Sequence, residues 1–289
     1  MDYQGTIIRP PSEANSIILQ ITTGCSHNKC TFCGAYTNTP FTRKNWEIIE
    51  QDIAFAERWC KRQKTVFLAD GDALALPHDQ ILHILHLIRH RLPWVRRVSS
   101  YATAQNIARK TDHQLAEYRS CHLQRLYVGL ESGLDQVLSN VCKGVSSQDI
   151  VDSCQRIRRA EIFLSVTCLL GLGGKALSDA HAEATATVLK RIKPNQVAIL
   201  TLMLIPGTPL YTAWQRGNFQ MPDQYGLLRE LSKVIQGLDT LKTQFYANHA
   251  SNYFDLQGRL PRDRTILLAR LDSALAGREK LKPEQVRRL

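Results

Sequence analysis

A strict alternation of short apolar runs with longer amphipathic stretches constrains this chain more than any other feature. Residues 16–22 (SIILQIT), 65–69 (TVFLA), 95–101, 125–130 (RLYVGL), 162–170 and 197–204 read as buried strands. Between and after them, residues 45–60, 77–92, 105–119, 147–160, 178–192 and 222–236 read as helices. Asn45 is placed to cap the first helix, along which Ile49, Ile53, Ala56 and Cys60 recur at helical spacing. The second starts at Pro77 and carries the stripe Ile81, Leu85, Ile88 and Leu92. Six strand–helix units in this order predict an α/β fold with a parallel sheet, either curled into a full or partial barrel or open and doubly wound. Either form offers its ligand sites at the C-terminal strand ends. The unusual residues follow strands: Cys25 to Cys33 after the first, Asp70-Gly71-Asp72 after the second, Glu131-Ser132-Gly133 after the fourth, and Gly171 to Gly174 after the fifth. They are therefore expected on one rim. The alternation stops near residue 240. Residues 243–257 read as a strand or irregular segment, 262–276 as a helix, and the last dozen residues as a frayed polar end.

Of the 289 residues, 44% are hydrophobic and 22% charged, enough apolar material for a buried core. The 37 Lys and Arg against 26 Asp and Glu leave a formal charge of +11, which suits anionic partners, although the basic residues are scattered. The first residues lack a basic stretch followed by an apolar run, and no segment is long and apolar enough to cross a bilayer, so the expected location is cytoplasmic. There, eight cysteines do not suggest disulfides.

Three of those cysteines fall within GCSHNKCTFCGAY, giving C-x4-C-x2-C. Thiolates are soft ligands for iron–sulfur clusters and zinc. Three on one loop can hold three irons of a [4Fe–4S] cube and leave the fourth iron open to a small molecule. Two other readings stay open at this level. The plant-type ferredoxin spacing is the same and would recruit Cys60 as a fourth ligand for an electron carrier. A structural zinc would use Cys25, His27, Cys30 and Cys33. Glu131, at the end of a buried strand, needs either an ion-pair partner or a bound ligand.

These motifs, in this order, resemble the radical SAM superfamily over roughly residues 15–240. The resemblance implies a partial (β/α)6 TIM-like barrel of parallel strands. Residues 1–240 would form the radical SAM core, with the cluster loop at 24–36. Residues 241–289 would form a small C-terminal cap packing on or closing the barrel. It makes Cys25, Cys30 and Cys33 the metal ligands of a [4Fe–4S] cluster, with Phe32 shielding it. It assigns S-adenosyl-L-methionine (SAM) to Asp70, Gly71, Asp72 and Ala73, to Tyr101, to Glu131 and Ser132, and to Gly171 and Leu204. The spacing departs from the family's commonest triplet by one extra residue between Cys25 and Cys30. The segment NHASNY reads as a substrate contact through His249, Asn252 and Tyr253, or equally as hydrogen-bonded packing of the cap. Among the remaining cysteines, Cys142, before Lys143-Gly144, is the one to test as catalytic.

The resemblance further implies reductive cleavage of SAM to methionine and a 5′-deoxyadenosyl radical that abstracts hydrogen from a substrate. An external one-electron reductant, flavodoxin- or ferredoxin-like, is implied as partner. The substrate is expected to be a small molecule or a cofactor precursor, with RNA second on grounds of charge and no membrane partner.

Overall fold

A computed structural model describes residues 1–37 and 39–288. Its elements run β1 (Ile17–Gln20), β2 (Thr22–Thr23), β3 (Thr42–Arg43), α1 (Trp46–Trp59), β4 (Thr65–Ala69), α2 (His78–Arg91), β5 (Arg97–Ala102), α3 (Ala104–Ala108), α4 (Asp112–Ser120) and β6 (Leu123–Glu131). There follow α5 (Asp135–Asn140), α6 (Ser147–Arg159), β7 (Phe163–Leu170), α7 (Gly174–Ile192), β8 (Gln196–Thr201), α8 (Pro209–Gln215), α9 (Gln224–Gly237), β9 (Thr243–Ala247), β10 (Leu256–Leu260) and α10 (Arg264–Leu275). Eight strands share one sheet in the order β1-β4-β5-β6-β7-β8-β9-β10. The ladders β1–β4, β4–β5, β5–β6, β7–β8 and β8–β9 are parallel, and β10 returns antiparallel to β9. A mostly parallel α/β sheet is what the alternation predicts.

The chain divides into two compact units. One comprises Met1–Asn28, Ala35–Val128 and Arg156–Leu164. The other comprises Lys29–Gly34, Gly129–Gln155 and Ser165–Leu289.

In the first unit, the side chain of Asn45 accepts from the Glu47 N–H and starts α1, which buries Ile49, Ile53 and Ala56 as its periodicity demands. The rings of Phe67, Tyr101 and Tyr127 meet edge to face, with centroids 5.3–6.1 Å apart. The Tyr127 hydroxyl donates to buried Glu13 at 2.6 Å, and Arg97 pairs with the same carboxylate at 3.1 Å. The helix expected at 105–119 is in fact two, α3 and α4. Thr103 caps the first. Thr111 and Gln114 form a reciprocal capping box that starts the second, so the chain re-nucleates rather than continuing.

In the second unit, β7, β8 and β9 align in register (Val166 with Val197, Val197 with Phe245), and α7 packs against α9. The glycine run turns at 171–173 and leads straight into α7, which begins at Gly174, four residues earlier than the pattern suggests. The turn 206–209 opens a further short helix, α8, in which Thr208 caps and Pro209 takes the first position. The polar tail is not frayed. Arg287 is 7% exposed and donates to the carbonyls of Ser251 (2.6 Å) and Leu202 (2.9 Å), while Lys282 pairs with Asp255 at 2.6 Å.

Candidate active site

In the first unit, the chain leaves β2 at Gly24 and returns at β3, and Thr23 and Thr42 hydroxyls hydrogen-bond at 2.7 Å across that neck. Cys25 is half-buried just beyond it. The end of β4 lies directly against this cysteine. A Cβ on Gly71 would stand 2.8 Å from the Cys25 Cβ, and the Gly71 N–H donates to the Gly24 carbonyl at 3.1 Å. Only a residue without a side chain allows that approach.

Next to it, Asp72 is fully buried and acts as a hub. Its Oδ2 accepts from Ser26 at 2.9 Å, from Thr103 at 2.7 Å and from the Asn106 amide. Burial pushes its carboxyl above the usual range, opposed by those three hydrogen bonds. Asp70 has φ +73° and accepts from Gln20 at 2.8 Å; burial raises its pKa too. Ala73 opens a buried 3-10 turn, and Tyr101 stands near the end of β5 with its phenol pKa raised by burial.

In the second unit, Cys30 and Cys33 are half-buried and joined by a 3.2 Å backbone hydrogen bond. Thr31 between them is pinned on both sides: its N–H donates to Val141 and its carbonyl accepts from Leu210. Phe32 packs on an apolar cluster of Val137, Val141, Leu169, Leu172, Leu202 and Leu210, and Leu204 packs there as well.

At the end of β6, Glu131 adopts φ +61° and pairs with Lys143 at 2.9 Å. Its carboxylate folds back over Gly129, where a Cβ would sit 2.1 Å from Oε1. Asp70 and Glu131 are non-glycine residues in the left-handed region at the ends of two strands, a conformation that costs about 1–3 kcal/mol each and concentrates at functional positions. Gly171 ends β7 with φ +81°. Cys142 is exposed on a left-handed turn.

His249 bonds Ser251 at 2.9 Å. Asn252 is buried, accepts from Thr201 and donates to Ile199. Tyr253 meets Arg287 at 2.6 Å. These bonds pack the C-terminal segment. Cys60 caps the C-terminal end of α1, on the chain leading into β4, whereas Cys25 follows the exit of the neighbouring parallel strand; the Cys60 carbonyl accepts from Trp94. That position is unsuited to a fourth ligand for Cys25. Among the described residues no three or more His, Cys, Asp or Glu side chains are drawn together in a group that could hold a metal ion, the three clustered cysteines included. Burial pushes the thiol of Cys154 up to about 12 and that of Cys168 well above its usual value, which keeps both as core thiols.

Two further residues, His181 and Glu230, join Ser132 without having been marked by the sequence. Ser132 Oγ lies 2.7 Å from His181 Nδ1, and His181 Nε2 lies 3.4 Å from Glu230 Oε1. His181 and Glu230 sit on helices, and their only local signal was a polar residue on an inward stripe. The donor chemistry suits an iron–sulfur cluster: three half-buried thiols on one loop of the sequence, with a glycine cradle against the first cysteine.

Comparison with known proteins agrees. A curated biotin synthase from Alkalilimnicola ehrlichii is 24% identical over 221 residues, covering 75% of this chain and 62% of that protein. The chain thus spans about three-fifths of that relative. Among solved structures, coproporphyrinogen III oxidase from Escherichia coli aligns with a TM-score of 0.59 at 16% identity, over 85% of this chain and 56% of that one. The radical SAM methyltransferase of Kitasatospora setae, solved with cobalamin and a [4Fe–4S] cluster, aligns with a TM-score of 0.56 at 15% identity, over 72% and 41%. Both likenesses establish the fold. The family model for the radical SAM superfamily matches residues 19–189, more than half of the chain and all three clustered cysteines. The chain therefore belongs to the radical SAM superfamily, enzymes that bind a [4Fe–4S] cluster and S-adenosylmethionine.

Proposed function

We propose that this enzyme cleaves SAM reductively and uses the resulting radical to abstract hydrogen from a small molecule or cofactor precursor. The observation that carries the reading is the position of Cys25, Cys30 and Cys33: all half-buried, on the loop after the first strand, inside the matched segment. When bound, the cluster supplies one electron that breaks a carbon–sulfur bond of SAM, giving methionine and a 5′-deoxyadenosyl radical.

The chain's own residues then have definite tasks. Cys25, Cys30 and Cys33 hold the cluster, and Phe32 keeps water from it. Ser26, tied to Asp72, fixes the backbone that presents Cys25. The backbone at Asp70, Gly71 and Ala73 is suited to receive the SAM amino group. Glu131 and the backbone at Ser132, with Gly171, Leu204 and Tyr101, are suited to its carboxylate, ribose and adenine. Lys143 compensates the Glu131 charge in the meantime. Residues 1–240 act as the catalytic part and 241–289 as a cap. Of the cap residues, His249 and Tyr253, both partly exposed, are the better candidates for substrate contact; Asn252 is committed to packing. Cys142, exposed, is a candidate catalytic thiol.

The reductant is a flavodoxin- or ferredoxin-like protein. No helix among the described residues is long and apolar enough to cross a membrane, and reduced thiols suit a cytoplasmic enzyme. The +11 charge favours RNA as the second substrate class.

The test is anaerobic reconstitution with iron and sulfide, then dithionite and SAM, with assay for 5′-deoxyadenosine and methionine. A brown protein that yields neither would return the electron-carrier reading, and a colourless protein retaining zinc the structural one. Retention of tRNA that weakens steeply with salt would shift the substrate class to RNA.

A further inference from the structure

A fully buried polar chain links the two turns that the reading above gives to SAM, and the argument here rests on that reading. Ser132 follows β6 and Gly171 follows β7. The Ser132 hydroxyl oxygen accepts from the Leu134 N–H at 3.0 Å and hydrogen-bonds His181 Nδ1 at 2.7 Å. The other imidazole nitrogen, Nε2, lies 3.4 Å from Glu230 Oε1. Glu230 Oε1 in turn accepts the Gly171 N–H at 2.7 Å, and Oε2 accepts the Ser178 hydroxyl. The neighbouring Gly133 N–H donates to Thr185 at 3.0 Å.

The order hydroxyl, imidazole, carboxylate is that of a hydrolytic triad, but Ser132, His181 and Glu230 are 0%, 1% and 1% exposed, so no substrate carbonyl reaches the serine. Apolar side chains of equal volume would pack α7 and α9 onto the sheet without desolvating three polar groups. What a satisfied polar chain adds is a fixed geometry, because each hydrogen bond specifies a distance and direction. Here the fixed pieces are the backbone after β6 and the backbone after β7.

We propose that His181 and Glu230 are positioning residues that hold Ser132-Gly133 and Gly171 in the register required to bind SAM, while touching no part of SAM themselves. The test uses the anaerobically reconstituted holoenzyme. The SAM dissociation constant is measured by equilibrium dialysis, iron and sulfide per chain by assay, and the spectrum of the dithionite-reduced cluster by EPR with and without SAM. His181→Ala is expected to weaken SAM binding about tenfold or more, the loss of one to two uncompensated buried hydrogen bonds. Its iron content and SAM-free EPR spectrum are expected to match the parent. His181→Asn, whose amide returns a hydrogen-bonding group near Nδ1, is expected to recover most of that affinity. His181→Gln, which reaches only towards the Glu230 side, is expected to recover less. If the alanine variant does not fold, the order of Asn over Gln, with Ser132→Ala weakened like Gln, carries the same conclusion. Parent-like SAM affinity in His181→Asn, His181→Gln and Ser132→Ala, with only a lower melting temperature, would overturn the proposal and leave a structural role. Failure of the parent protein itself to bind SAM would instead overturn the functional reading on which it stands.

Discussion

Asp72 shows how one residue sets the cluster loop. Its carboxylate gathers Ser26, Thr103 and Asn106, so removing it strands the buried Asn106 amide, at about 1–3 kcal/mol when unsatisfied, and releases the two hydroxyls. Asp72→Ala is expected to lower both the melting temperature and the iron retained after reconstitution; parent-like iron content would show that Ser26 does not orient Cys25.

His181 and Glu230 respond to pH with opposite signs. Burial lowers His181 to about 4, so the unfolded chain binds its proton first and stability is lost as pH falls from about 6.5 towards 4. Burial raises Glu230 to about 7, so the folded state holds that proton longer and stability is lost as pH rises from about 4.5 through 7. The two oppose each other in the parent. Relative to it, His181→Asn is expected to gain stability on acidification from pH 7 to 4.5, and Glu230→Gln to lose it. Urea titrations at pH 4.5, 5.5 and 7 check this, and parallel curves for all three proteins would contradict it.

At the scale of elements, caps decide where helices begin. The break between α3 and α4 comes from Thr111 and Gln114, whose side chains satisfy each other's backbone donors. Thr111→Ala is expected to cost about 1 kcal/mol, near the usual value of an N-cap, and to lower the melting temperature by roughly 2–4 °C in a chain of this size, as calorimetry would read. SAM cleavage is expected to stay at the parent level, because Thr111 is exposed and forms no part of the proposed site. The capping pair T-x-x-Q was visible in the sequence, but a continuous helical reading of 105–119 overrode it. α8 escaped notice because seven residues give too few turns for a periodic stripe.

For the molecule as a whole, the tail closes the second unit upon itself. Arg287 satisfies the carbonyls of Leu202, just past β8, and Ser251, and it stacks over the Tyr253 ring with its guanidinium 4.1 Å from the centroid. Removing a buried guanidinium with these bonds is expected to destabilise by about 2–4 kcal/mol. Arg287→Ala should therefore open the 248–254 segment to limited proteolysis before the rest of the chain, whereas cleavage elsewhere first would deny the tail this role. The tail's polar composition misled because composition reports average solvation, while a long cationic side chain can be buried once its five donors are answered.

The amino-acid sequence by itself determined the parallel α/β sheet, since apolar period and strand length are properties of near neighbours along the chain. It also determined the thiol triplet and the turns at Asp70, Glu131 and Gly171, because each follows a strand directly. Tertiary structure alone decided what those turns touch: Ser26 meets Asp72 across 46 residues and Asn106 across 80, Ser132 meets His181 across 49, and Gly171 meets Glu230 across 59. Such partners are selected by the packing of whole elements, which no local periodicity encodes.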